Sequence, residues 1–198
     1  MLKAVIFDLN GIFILSEKLS VRFEKDFGIS ITEFLPVLNE IMDKMRAPGA
    51  GNSFVYWQPY LAKWNISLTE QEFWSYWFKE EKPSKEMLDM AEEIKAKGLK
   101  LFLLSNNFSE RAVYYAQYDW MDNLIDKAYY SWQTGFVKPD HRAWKQVLEE
   151  NDLQSEECLY FDDQEKNVIA AQEVGIESFV FVDVATTKDI IEKKASHV

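Results

Sequence analysis

Apolar and polar positions follow two textures along the chain. Short apolar runs rich in β-branched and aromatic residues occupy residues 2–9, 99–104, 158–161 and 178–182 and read as buried strands, with 127–130 a weaker fifth. Each run after the first follows an amphipathic stretch, and the spacing predicts helices over 84–97, 109–118, 140–151, 164–174 and 187–194. Gly98 and Gly175 stand where a helix end turns into the next strand. Strands alternating with helices in this way build a parallel sheet covered on both faces. Residues 16–79 break the rhythm. They read as several amphipathic helices punctuated by Pro36, Pro48-Gly49 and Gly51. Residues 54–78 hold Trp57, Trp64, Trp74 and Trp77, four of the seven tryptophans. Their expected role is the core of a small helical subdomain; the alternative is that one or two of them line a ligand pocket. The expected fold is α/β: a Rossmann-like, doubly wound parallel sheet made by 1–15 and 82–198. A helical cap, 16–81, is inserted after the first strand.

The bulk properties narrow the function classes. A chain of 198 residues with 47% hydrophobic and 28% charged residues suits one globular domain with a small insertion. No run approaches the roughly 20 apolar residues of a membrane span. The N-terminal residues lack a signal-peptide pattern, and the lone Cys158 suits a reducing compartment, so the expected location is cytoplasmic. Cys158 itself reads as a neutral core thiol. The net charge of −11 argues against nucleic acid as a partner. A small phosphorylated metabolite remains compatible, because local cations reverse the potential inside a cleft. Oligomeric state is not legible.

Ligands in an open α/β sheet bind at the carboxyl ends of the strands. Those ends carry Phe7-Asp8-Leu9-Asn10-Gly11, then Leu104-Ser105-Asn106-Asn107, then a loop with Val137-Lys138-Pro139-Asp140, then Phe161-Asp162-Asp163 followed by Asn167. Each alone has a bland reading as a cap or a turn, and Asn10-Gly11 is a hairpin signal in its own right. The pair Asp162-Asp163 is harder to dismiss, since adjacent carboxylates repel unless a cation sits beside them.

In order and spacing the set resembles the four motifs of the haloacid dehalogenase superfamily, and the resemblance covers essentially the whole chain. The second and fourth motifs are similar to those of bacterial hexose-phosphate phosphatases acting on α-D-glucose 1-phosphate. The resemblance implies a Mg²⁺-dependent phosphatase in which Asp8 attacks phosphorus and carries an aspartyl-phosphate. It implies metal ligation by Asp8, the Asn10 backbone carbonyl, Asp163 and Asp162, the last directly or through water. Ser105 and Asn106 would hydrogen-bond the phosphoryl oxygens, and Lys138 would neutralise Asp8 and the phosphate.

One position departs from the pattern. Phosphatases of the family carry a second aspartate two residues after the nucleophile as general acid–base. Asn10 stands there, and an amide neither gives nor takes a proton near neutral pH. A substitution made to trap an intermediate, a natural variant that turns over slowly or uses another group, and a non-catalytic phosphate-binding protein all fit. Deamidation at Asn10-Gly11 is a further route to an aspartate. A phosphonatase would need a Schiff-base lysine in the cap, for which Lys18, Lys25, Lys44 and Lys63 are available. His141 reads as solvent-facing and His197 as tail. Arg46 reads as a surface arginine, with the alternative that it reaches a substrate phosphate or sugar. The charged runs 79–85 and 188–194 read as solvated faces.

Overall fold

A computed structural model describes residues 1–196 of the protein; His197, assigned to the tail above, lies outside the described residues. The strands are β1 (Ala4–Phe7), β2 (Ile14–Leu15), β3 (Lys82–Pro83), β4 (Lys100–Ser105), β5 (Lys127–Tyr130), β6 (Cys158–Asp162) and β7 (Glu177–Val180). Five of them form one parallel sheet in the order β5-β4-β1-β6-β7. The alternation of side chains divides its interior into two layers. Val5, Phe7, Leu101, Leu103, Leu159 and Phe161 face one way. Ala4, Ile6, Phe102, Leu104, Cys158 and Tyr160 face the other. This is why β1 reads as a continuous apolar run: both of its faces are buried.

Helices α1 (Leu19–Phe27), α2 (Ile31–Met45), α3 (Phe54–Lys63) and α4 (Glu70–Phe78) follow β2. Then come α5 (Lys85–Ala96), α6 (Ser109–Tyr115), α7 (Asp119–Leu124), α8 (Ser131–Thr134), α9 (Arg142–Glu150), α10 (Glu165–Glu173) and α11 (Val184–Ser196). Met87, Met90 and Ile94 of α5 and Ile191 of α11 cover the first face of the sheet. Trp144 and Val147 of α9 and Ala170 and Ala171 of α10 cover the second. Among the described residues no helix is long and apolar enough to cross a membrane.

Helices α1–α4 bury an aromatic cluster of their own, with Phe23, Phe34, Trp57, Phe73 and Trp77 at its centre. Trp57 meets Trp77 edge to face at 5.4 Å, a favoured aromatic geometry. Pro36, read above as punctuation, lies inside α2 near its start. There it forfeits a single early hydrogen bond, and burial of Phe34, Ile41, Met42 and Met45 carries the helix through. Ser30 and Thr69 cap α2 and α4 with their side chains. The chain enters and leaves this helical unit side by side, because β2 and β3 pair antiparallel (Ile14 with Pro83, Leu15 with Lys82). Phe108, at the start of α6, is the core residue that joins the aromatic cluster, packing 5.4 Å from Trp77.

Candidate active site at the carboxyl edge of the sheet

Strands β1, β4 and β6 end together, and their register places the polar groups. Phe7 pairs with Phe161, and the Asp8 N–H donates to Phe161 O at 2.9 Å, so Asp8 and Asp162 stand side by side. Side chains two apart share a face, which aligns Ile6 and Asp8 with Tyr160 and Asp162. Lys138 arrives at that face from the loop between α8 and α9. Its ammonium donates to Asp8 Oδ1 at 2.8 Å, Asp162 Oδ2 at 2.7 Å and the Tyr160 hydroxyl at 3.1 Å. Tyr160 donates to Asp162 Oδ2. Asn167 Nδ2 reaches both Asp162 oxygens at 3.0 Å, and the Gln164 N–H donates to Oδ1 at 2.8 Å. Asp162 is therefore wholly buried with both oxygens satisfied.

The electrostatics follow from burial and from this one cation. Burial raises the Asp8 carboxyl above its ordinary range; Lys138 opposes the shift and Asp162 adds to it. Burial pushes Asp162 the same way, but the charge and hydrogen bond of Lys138 outweigh it and hold the group below the usual value. Burial favours a neutral Lys138, yet the two carboxylates keep it charged, with a raised pKa. Asp163 is the most open of the three acids. Partial burial and the neighbouring charges of Asp8 and Asp162 push it up to about 6.

One oxygen each of Asp8, Asp162 and Asp163 lies within 4.8 Å of the other two. Three carboxylates against one ammonium leave an excess of negative charge on hard oxygen donors, which suits a divalent cation such as Mg²⁺. Asp162 is saturated by protein donors, so Asp8 and Asp163 are the better direct ligands and Asp162 fits a water-mediated role. Gly11 makes room for this arrangement. Its φ is +92°, and a Cβ there would come within 2.9 Å of Asp163 Oδ2.

Asn10 is held by a chain of hydrogen bonds whose direction is fixed at both ends. The Phe108 N–H donates to Asn107 Oδ1 at 3.0 Å, which turns Asn107 Nδ2 toward Asn10 Oδ1 at 3.4 Å. Asn10 Nδ2 then donates to the Tyr115 hydroxyl oxygen at 2.6 Å, and Tyr115 donates to Glu81 Oε2 at 2.6 Å. Glu81 is buried and paired with Arg111 at 2.5 Å. The same anchoring opposes deamidation, since the Gly11 N–H that would attack the Asn10 amide donates instead to Ile14 O at 2.8 Å.

Asn106 lies beside Lys138. Its side chain clasps the backbone of Lys138, accepting from the N–H at 2.7 Å and donating to the carbonyl at 2.8 Å. The Asn106 side chain is thus engaged in holding Lys138. Ser105 closes β4, buried and in register with Tyr130. It stands two residues beyond Leu103, the partner of Phe7, and so beside the start of the Asp8 loop.

Other expectations change as well. Glu81, inside the run taken as a solvated face, is a buried member of the Asn10 network. A Glu-Glu-Lys sequence carries no signal of this; the partner arginine lies 30 residues away. Tyr160 and Tyr115 were also missed. Tyr160 was accessible to sequence reasoning, because its offset of two from Asp162 puts both on one face. Lys18, Lys25, Lys44 and Lys63 are all exposed, without the burial that would activate a Schiff-base lysine. Arg46 is half-buried, with its Nε out of contact with solvent, beside a cleft that Arg111 of α6 also lines. His141 is half-exposed and meets Glu173 at 2.8 Å. Cys158 is buried in the core, which pushes its thiol up to about 12.

Similarity to known proteins agrees with this geometry. The chain is 29% identical over 110 residues to the sesquiterpene phosphatase astK of Aspergillus oryzae, covering 54% of each protein. It is 30% identical over 108 residues to phosphatase MT3486 of Mycobacterium tuberculosis, covering 53% of this chain and 49% of that one. The chain thus spans about half the length of these relatives. Its fold superposes on a HAD-family enzyme of Bacteroides thetaiotaomicron, solved with magnesium and inorganic phosphate. The TM-score is 0.77 at 19% identity, with 91% of this chain and 94% of that one covered. The profile of the haloacid dehalogenase-like hydrolases matches residues 5–181, and the chain belongs to that family.

Proposed function

We propose that the protein is a Mg²⁺-dependent phosphatase that hydrolyses a small phosphomonoester through an aspartyl-phosphate on Asp8. The observation that carries this reading is the convergence of Asp8, Asp162 and Asp163 within 4.8 Å, with Lys138 bridging the first two. Phosphoryl transfer needs little covalent work from a protein beyond positioning and charge neutralisation. Asp8 supplies the nucleophilic oxygen, a P–O bond to it forms, and the bond to the leaving oxygen breaks; water then attacks phosphorus, the bond to Asp8 breaks and inorganic phosphate leaves. Lys138 holds Asp8 in line and offsets its charge. Ser105 and the Asn106 backbone N–H are placed to bind phosphoryl oxygens. A bound Mg²⁺, held by Asp8, Asp163, the Asn10 carbonyl and, through water, Asp162, would draw negative charge away from phosphorus. Asn10 supplies no proton, so the leaving oxygen takes one from water and turnover is slow.

Residues 16–81 act in this reading as a cap on a core made by 1–15 and 82–198, with the β2–β3 ribbon as the joint. Closure of such a unit excludes water and selects the substrate. The motif similarity makes α-D-glucose 1-phosphate a first compound to assay. Asn10 also favours a second reading, a protein that binds a phosphorylated ligand without useful turnover. A Mg²⁺-dependent assay across phosphomonoesters, with mass spectrometry of acid-quenched protein, separates the two. Steady release of phosphate with phosphorylated Asp8 in the quench supports the phosphatase. Activity unchanged in Asp8→Ala refutes it, and binding without release in both the wild type and Asn10→Asp favours the second reading.

A further inference from the structure

A lysine ammonium carries three N–H donors and no acceptor. Lys138 has placed all three: on Asp8 Oδ1 at 2.8 Å, on Asp162 Oδ2 at 2.7 Å and on the Tyr160 hydroxyl at 3.1 Å. Tyr160 stands in the middle of β6, and its offset of two from Asp162 turns both side chains to the face that meets Asp8. Its ring is wholly buried in the layer of Ile6 and Phe102 and meets Trp144 edge to face at 5.5 Å. A phenylalanine would fill that space as well. The hydroxyl is the part that packing does not need, and its hydrogen bonds both go to charged groups of the site.

The direction of those two bonds is fixed. An ammonium only donates and a carboxylate only accepts, so the hydroxyl oxygen takes a proton from Lys138 and gives its own to Asp162. Lys138, Tyr160 and Asp162 therefore close a triangle of hydrogen bonds, since the ammonium also donates to Asp162 directly. Asn167 Nδ2, at 3.0 Å, holds the same Asp162 oxygen from another side. A triangle resists rotation in a way that a single ion pair does not. With one N–H held by Tyr160 and one by Asp162, the remaining N–H has a set direction, and it points at Asp8. Fixing one oxygen of a planar carboxylate fixes the direction of the other, so the ammonium governs how Asp8 presents itself to phosphorus.

We propose that Tyr160 is a positioning residue of the phosphoryl-transfer site: its hydroxyl completes the bracket that holds the Lys138 ammonium on Asp8 and so aligns the nucleophile. This rests on the phosphatase reading of Asp8 and extends it. It also assigns the Lys138 protons to the protein rather than to the phosphate, because each already has an acceptor.

The test removes the hydroxyl alone in Tyr160→Phe and, as a control, loosens the same packing in Trp144→Phe with the hydroxyl kept. The probe is 4-nitrophenyl phosphate with saturating Mg²⁺, because 4-nitrophenolate leaves without a proton and Asn10 then does not limit the first step. In the burst, the P–O bond to Asp8 forms as the bond to nitrophenolate breaks, and the amplitude counts competent sites. Tyr160→Phe should lower the burst rate constant about tenfold or more, as misplacing a reacting group does, with amplitude and half-saturating concentration little changed. Trp144→Phe should lower the melting temperature and leave the rate constant within about twofold. An unchanged rate constant in Tyr160→Phe overturns the proposal, and so does an equal loss in both variants. A smaller amplitude at an unchanged rate constant, the mark of a purely structural role, overturns it too. Beryllium trifluoride, which bonds to an aspartate as a stand-in for the phosphoryl group, reads the position of Asp8 without any turnover. Its affinity for the Mg²⁺ form, followed by ¹⁹F resonance, should weaken about tenfold in Tyr160→Phe. Equal affinity in the wild type and Tyr160→Phe overturns the proposal. A wild type that gives no burst but binds beryllium trifluoride in this Tyr160-dependent way removes the phosphatase reading and keeps the positioning of Asp8. A wild type that neither reacts nor binds removes both.

Discussion

Replacing Asn10 by aspartate tests the site more sharply than any deletion, because the structure specifies where the new carboxyl would find its proton. Tyr115 has one hydroxyl proton, and Glu81, an acceptor-only carboxylate paired with Arg111, takes it. In the wild type Asn10 Nδ2 fills the remaining lone pair of that hydroxyl at 2.6 Å. An ionised carboxylate at position 10 would set an oxygen against the same lone pair with no proton between them. Leaving a buried polar contact unsatisfied in this way costs about 1–3 kcal/mol. The protonated carboxyl restores the contact as donor, so the folded state raises the pKa of the new group. That is the condition for a general acid working near neutral pH. A positioned acid–base is worth about 10²–10⁴ in rate, so kcat in Asn10→Asp should rise by that order. Any phosphoenzyme seen in the wild-type quench should fall correspondingly. The melting temperature of the variant should be below that of the wild type at pH 8 and approach it at pH 5. Stability gained from the raised pKa is present below that pKa and lost above it. Unchanged kcat in a protein that binds Mg²⁺ and melts cooperatively would refute the assignment of position 10 to proton transfer.

The remaining expectations are shorter. Asp163 has a folded pKa of about 6 against 3.8 in the unfolded chain. The folded state therefore binds more protons between those values, and the metal-free protein loses stability as pH rises through that window. Mg²⁺ should accordingly raise the melting temperature more at pH 7.5 than at pH 5, and equal shifts at both would refute the ligand set. Asn106→Ala removes both side-chain bonds to the Lys138 backbone and should cost about 1–3 kcal/mol in urea unfolding, with a larger loss in kcat than in KM. Stored protein should keep Asn10 intact by peptide mass spectrometry, since the attacking Gly11 N–H is engaged; extensive conversion to aspartate in folded protein would contradict that geometry.

What the sequence made legible was whatever depends on short-range periodicity. The strands around Asp8, Ser105 and Asp162 are alternating or fully apolar runs, and strand ends in such a sheet coincide with the site by topology alone. The aromatic core of α1–α4 followed from helical spacing. Boundaries were less legible: the stretch expected as one helix over 109–118 breaks after Tyr115, and a new helix, α7, begins at Asp119. What stayed hidden is the long-range polar pairing. Glu81 with Arg111, Asn106 with Lys138 and Asn10 with Tyr115 span 30, 32 and 105 residues. No local pattern encodes them, because each partner is ordinary in its own segment. The half-burial of Arg46 is likewise not visible in its own segment.

The hydrogen bonds also divide the site into a fixed part and a movable part. Lys138 is gripped at its backbone by Asn106 and at its ammonium by Asp8 and Asp162, so the loops after β1, β4 and β6 are braced against one side chain. The loop after α2 has Gly135 as its neighbour at this edge, packed against Pro48. Gly135 adopts φ +81°, and an added Cβ would lie 3.3 Å from Pro48 Cγ. In Gly135→Ala, the left-handed backbone costs about 1 kcal/mol, and the methyl group presses on the loop after α2 rather than on Lys138. If that loop contacts the substrate while Lys138 serves the chemistry, this variant should raise KM severalfold with kcat within about twofold. A fall in kcat with KM unchanged would mean that the strain runs into the Lys138 loop instead.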